Sequence, residues 1–221
     1  MKHARINEVR VFPPFVSGGE YEASLFCSNV EAAVRVALDE KGYIRPELPS
    51  GLCDFSDLFT YSGEWKNGGH ETCINNIGDL DVFERASQLL ARLGLVEFKE
   101  NLDRFTSFCR DNAERIDEIY ELEGEAAGRQ LFYEFDDRFW EIKKKSPDLD
   151  VILQNWLVDQ PWIVLDTNVP KWPVQYYRET IEVHPLKQAR KEAVRRERVA
   201  ENLGTNLTFW QRVRDSLGGS T

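Results

Sequence analysis

The chain is short of the imidazole- and sulfur-bearing residues that nucleophilic catalysis and metal binding lean on. Its 221 residues hold three histidines, four cysteines and one methionine. The cysteines (Cys27, Cys53, Cys73 and Cys109) form no C-x-x-C pair, so neither a zinc ribbon nor a dithiol redox motif is legible. Scattered thiols of this kind suit a reducing compartment, where they act as small core residues. There is no G-x-x-x-x-G-K-[ST] or G-x-G-x-x-G loop and no G-x-S-x-G elbow, which removes the commonest phosphate-cradling and serine-hydrolase signatures. His70 and Cys73 share a helix face at i,i+3 spacing, but two ligands do not hold zinc, and His184 brings no second pair. The expectation is no metal and no cofactor. No apolar run approaches 18 residues, and the first fifteen, MKHARINEVRVFPPF, lack the apolar segment of a signal peptide. Together these predict a cytoplasmic protein without a membrane span. Internal repeats and low-complexity tracts are also lacking.

What the chain has is acidity and helical periodicity. Thirty-eight Asp and Glu face 28 Lys and Arg, a net charge of −10. Residues 171–221 carry ten basic against six acidic side chains, so the excess lies before them. An acidic body repels nucleic acid, and direct nucleic-acid binding by it is not expected. Hydrophobic residues at 42% are ample for a folded core without disulfides.

The fold class expected is mainly α: a single compact multi-helix domain with an irregular N-terminal segment and a C-terminal helical appendage. The organisation expected is an N-terminal segment over 1–60, an acidic helical domain over 61–165, and a linker with basic helices over 166–221. The prolines and glycines of RVFPPFVSGG argue for irregular structure through residue 27. Ser28 and Glu31 have capping-box spacing at the start of SNVEAAVRVALDEK. Residues 42–66 then read as a long connection rich in Gly, Pro and Ser. Helices are expected over 70–76 and over 82–93, the latter capped by Asp81 with Phe83, Ala86, Leu89, Leu90 and Leu93 inward. Phe98, Leu102, Phe105 and Cys109 mark the next, and a further one covers 112–122. A single helix over 125–145 turns Leu131, Phe132, Phe135, Phe139 and Ile142 inward, and Pro147 opens another with Ile152, Trp156 and Leu157 in the core. Residues 163–165 (IVL) suit a short strand, residues 185–203 a basic helix, and residues 208–217 a short final one.

Residues 97–141 hold fourteen acidic against six basic side chains. Asp111, Glu114, Glu118, Glu121 and Glu125 recur at spacings of 3, 4, 3 and 4, one stripe if the helix is continuous, with Gly124 a break near its end. Like charges so spaced repel by a few tenths of a kcal/mol per pair, a cost that interspersed Lys would avoid. A fourteen-residue helix spans about 21 Å, over which duplex DNA carries about twelve phosphates. Imitating DNA therefore needs several acidic helices side by side, or a dimer. The pair Asp136–Asp137 is expected on a solvated face. Lys187, Lys191, Arg195 and Arg198 share one face of the basic helix, which suits docking on an acidic surface of this chain or of a second copy. The turn Asn67-Gly68-Gly69 is expected to supply positive φ at Asn67 and Gly68 and a close backbone approach at Gly69.

In Asn67, Gly68, Gly69, Asn76 and Gly78, followed by FERASQLLARLGL and LFYEFDDRFWEI, the sequence resembles the helical-domain family of DNA mimic protein nineteen. The similarity covers roughly residues 60–160, and His70, Cys73 and Ile74 stand where that family usually has aromatics. The resemblance implies an all-α, dimeric, non-enzymatic protein. It implies surface carboxylates placed like DNA phosphates, which engage a helix-turn-helix transcription regulator and keep it from its operator. The partner-binding candidates are Asp111, Glu114, Glu118, Glu121, Glu125, Glu134, Asp137 and Glu141. Two other readings stand beside this one: an enzyme with a pocket at His70, lined by the 42–80 loops, and a dimeric scaffold in which helix 185–203 packs on the acidic body.

Overall fold

The computed structural model describes residues 4–14 and 19–201. In chain order these form β1 (Val9–Val11), α1 (Glu20–Arg35), a π turn (Val36–Glu40) and a 3-10 turn (Arg45–Glu47). The helices α2 (Leu52–Ile77), α3 (Leu80–Arg92), α4 (Val96–Asp111), α5 (Ala113–Leu122), α6 (Glu125–Gln130), α7 (Tyr133–Lys145) and α8 (Leu149–Val158) follow. Then come β2 (Ile163–Leu165), α9 (Val174–Thr180) and α10 (Lys187–Glu201). The fold is mainly α, as expected, and IVL is the short strand the sequence suggested. The expected helix over 208–217 lies outside the described residues.

The described residues divide into two compact units: those up to Ser56 with Pro147–Glu201, and Asp57–Ser146. The first unit is discontinuous because its strands pair in parallel, Val9 opposite Ile163 and Val11 opposite Leu165. A parallel pair cannot be closed by a hairpin and needs a long crossover; here the crossover contains the whole second unit. Helix α8 packs on α1, where the Cys27 thiol lies 3.6 Å from the Asp150 carbonyl, and Leu149, Leu153 and Leu157 of α8 are buried. Tyr177 of α9 donates its hydroxyl to the Arg10 carbonyl of β1 at 2.9 Å.

Several local expectations are corrected. Helix α1 begins eight residues before Ser28, at Glu20, where the Glu22 carboxylate accepts the Gly19 N–H at 3.1 Å and closes the first turn. The stretch 42–66 is not one connection: α2 starts at Leu52 and buries Leu52, Phe55, Leu58 and Tyr61. The cap of α3 is Asp79, whose side chain accepts the Asp81 N–H at 2.9 Å, so Asp81 sits inside the first turn. Helix 125–145 is two helices, α6 and α7. Pro147 precedes the true cap of α8, Asp148, and Ile152 and Trp156 are only half-buried.

The second unit is held by aromatic rings. Phe83 of α3 and Phe105 of α4 meet edge to face at 5.5 Å, Phe105 meets Phe135 of α7 at 5.6 Å, and Trp65 stacks on Phe139 at 3.6 Å. Each such ring contributes about 1.5–3 kcal/mol by burial, and a favourable ring pair roughly 0.5–1.5 kcal/mol more. Phe98, Leu102, Phe105 and Cys109 all face this core, as their spacing predicts.

Candidate functional site

The Asn67-Gly68-Gly69 turn breaks α2 into two helical segments, and its geometry differs from expectation. Asn67 is not at positive φ, and Gly68 has an extended φ of −177°. Only Gly69 is left-handed, at φ +77°. Its close approach is to a side chain rather than to backbone: a Cβ on Gly69 would lie 2.6 Å from Asp136 Oδ2. With no Cβ in the way, one oxygen of Asp136 accepts the His70 backbone N–H at 2.9 Å, His70 Nδ1–H at 2.6 Å and Trp65 Nε1–H at 3.1 Å. Because Nδ1 donates to a carboxylate, the other ring nitrogen, Nε2, accepts the Tyr61 hydroxyl at 3.0 Å. Burial holds the His70 pKa below its ordinary value, opposed by the bond to Asp136, and pushes the Tyr61 hydroxyl well up.

Asp136 therefore does not lie on a solvated face with Asp137; the two point apart, one into the core and one into water. His70 has no exposed surface at all. Cys73 is equally buried and its thiol faces the Tyr61 carbonyl at 3.6 Å. Among the described residues no three His, Cys, Asp or Glu side chains group to hold a metal ion, and no helix is long and apolar enough to cross a membrane.

The residue after His70 ties down a second pair of helices. Glu71, nearly buried, accepts the Tyr120 hydroxyl of α5 at 2.9 Å and Arg129 Nε of α6 at 2.7 Å. Burial first, and then the Glu71 carboxylate, push the Tyr120 hydroxyl above its ordinary value. Neighbours in one helical turn thus anchor three others: His70 holds α7, and Glu71 holds α5 and α6.

Those helices carry nearly all of the carboxylates singled out from sequence. Asp111 ends α4; Glu114, Glu118 and Glu121 lie on α5; Glu125 opens α6; Glu134, Asp137 and Glu141 lie on α7. All eight are exposed. The five-residue stripe does not run along one helix, because Asn112 separates α4 from α5 and Gly124, at φ +85°, separates α5 from α6. Glu134 pairs with Arg104, and Glu141 with Arg138 at 3.3 Å. Leu122 is 84% exposed between Glu121 and Glu123, and Tyr133 and Trp140 are about half exposed beside Glu134 and Glu141. The surface is thus acidic with apolar studs.

The basic helix α10 is fixed within the first unit by a residue the sequence reading passed over. Arg190 makes a two-pronged pair with Glu47, at 2.7 and 2.8 Å, and donates to the Gly42 carbonyl at 2.7 Å. Arg190 holds the Glu47 carboxyl down at about 2. His184, buried just before the helix, lies 3.3 Å from the same carboxylate. Lys191 and Arg195, from the face read as basic, are exposed, Lys187 is half-buried, and the Arg198 side chain lies outside the described residues.

The model of the DMP19-like protein family matches residues 46–160, just over half of the chain, and the chain belongs to that family. The match starts earlier than the resemblance read from sequence, at residue 46, and takes in the whole of α2. No curated protein and no solved structure matches the chain.

Proposed function

We propose that this DMP19-like protein uses the acidic helices of residues 97–141 to bind a basic surface of a DNA-binding protein, occupying it in place of DNA. The observation that carries the reading is the placement of eight exposed carboxylates on four successive helices. Three of those helices are pinned through His70 and Glu71 to the helical turn that follows Asn67–Gly69. One helix is too dilute for the purpose: α5 is about 15 Å long, against about nine phosphates on that length of duplex. Carboxylates gathered from adjoining helices raise the density, and a homodimer would double the charged face. A helix-turn-helix regulator, whose recognition helix is basic where it meets phosphate, has matching chemistry. The apolar studs Leu122, Tyr133 and Trp140 favour a protein partner, because interfaces with proteins enrich aromatic residues among polar ones.

The test is capture of partners from the native host on the full chain, compared with an E118K/E121K double variant. Charge complementarity mainly sets on-rate and salt dependence. The expected result is a DNA-binding protein that is released by about 1 M salt, where the screening length falls to about 3 Å, and that the double variant fails to capture. Binding that survives both treatments contradicts the electrostatic reading.

A further inference from the structure

A cavity of about 220 Å³ lies wholly within the first unit, where β1, the α1–π turn segment and α9 converge. Its inner lining is apolar and buried: Val9, Ala33, Ala37, Leu48 and Leu52, with Tyr177 as one wall. The space exists for a local reason. Ala33 and Ala37 follow one another across the junction at which α1 passes into the π turn Val36–Glu40, so two methyl groups stand where larger side chains would fill the hole. Such π segments recur at functional sites. The mouth carries Glu8, Arg10, Tyr176 and Thr180. The Arg10 charge is already taken by Glu8 at 2.8 Å and by Asp166 at 3.4 Å.

We propose that this cavity is a binding site for a small planar aromatic molecule of two fused rings, neutral or bearing an amine. Size sets the first limit. An apolar cavity of roughly 150 Å³ stays dry and takes benzene, and one about half as large again takes a bicyclic ring. The lining sets the second: Val9, Leu48, Leu52 and two tyrosines offer apolar and ring contacts that water does not satisfy. Charge at the mouth sets the third. Two carboxylates surround one guanidinium, so an amine gains at Glu8 where a carboxylate would be repelled. This site is separate from the acidic helices and does not depend on the reading of them.

Calorimetric titration of the full chain with indole, tryptamine and indole-3-acetate tests the proposal. Saturable binding is expected for indole and tryptamine, with tryptamine tighter and indole-3-acetate weakest. Ala37→Leu fills the cavity and is expected to weaken tryptamine binding about tenfold or more. Should that variant fail to fold, Thr180→Trp blocks the mouth from an exposed position and is expected to have the same effect. Absence of saturable binding by indole and tryptamine overturns the proposal. So does tryptamine binding left unchanged by the folded variants, or a preference for the carboxylate over the amine.

Discussion

At the scale of single residues, the decisive group is the Asp136 carboxylate. It satisfies three donors, two of them from His70. Asp136→Ala leaves those donors without their acceptor, at a cost of about 3–5 kcal/mol, which urea unfolding would register as a lower midpoint. Gly69→Ala acts on the same oxygens from the other side. It places a Cβ at positive φ and against the carboxylate, with an expected loss of about 2–4 kcal/mol. His70 adds a pH dependence whose sign follows from burial. Above the ordinary imidazole pKa of about 6.5 both folded and unfolded chains hold neutral His70. As pH falls through that value the unfolded chain takes the proton first, because the folded value is lowered. Stability from this residue is therefore full above about pH 6.5 and declines below it, by at most about 1.4 kcal/mol per pH unit. Wild type and His70→Gln, unfolded in urea at pH 7.5 and 5.5, should differ in their loss on acidification, with the smaller loss in the variant. The role of Asp136 was not legible in sequence. Its neighbour Asp137 has the same composition and the opposite environment, and only the position of α7 distinguishes them.

At the scale of elements, periodicity located the helices that bury a regular face, such as α3, α4 and α5, because the 3.6-residue repeat survives whatever packs against it. It failed over residues 125–145, where one helix was expected and the chain forms α6 and α7; the break in the acidic stripe at Gly124 is the one the glycine itself marks. It also failed at α1, whose start rests on a Glu22 bond back to Gly19 rather than on a Ser or Thr cap, and at the early turns of α2, where Gly, Pro and Ser upstream concealed the start. The same reasoning predicts what Glu71 does. Glu71→Gln weakens the pair with Arg129, and Glu71→Ala also strands the Tyr120 hydroxyl. Hydrogen exchange in α5 and α6 should quicken in the alanine variant, while α3 keeps its protection. Equal protection in all three helices would show that Glu71 holds nothing. For α10, Arg190→Ala removes both prongs of the pair to Glu47 and should admit protease cleavage within residues 187–201.

At the scale of the whole molecule, composition conveys an acidic excess over residues 97–141, and the function proposed above rests on it. What composition does not convey is how the excess is arranged. The structure distributes it over α4, α5, α6 and α7, three of them tied to one turn of the second segment of α2, so the Asn67–Gly69 turn and the acidic helices are joined through His70 and Glu71. The central claim is that this surface stands in for DNA, and competition tests it most directly. The captured partner, bound to the full chain at low salt, is titrated with duplex DNA. The account predicts mutually exclusive binding: DNA displaces the protein, and the protein displaces DNA, with the E118K/E121K variant failing to compete. A ternary complex of partner, DNA and this protein would contradict it.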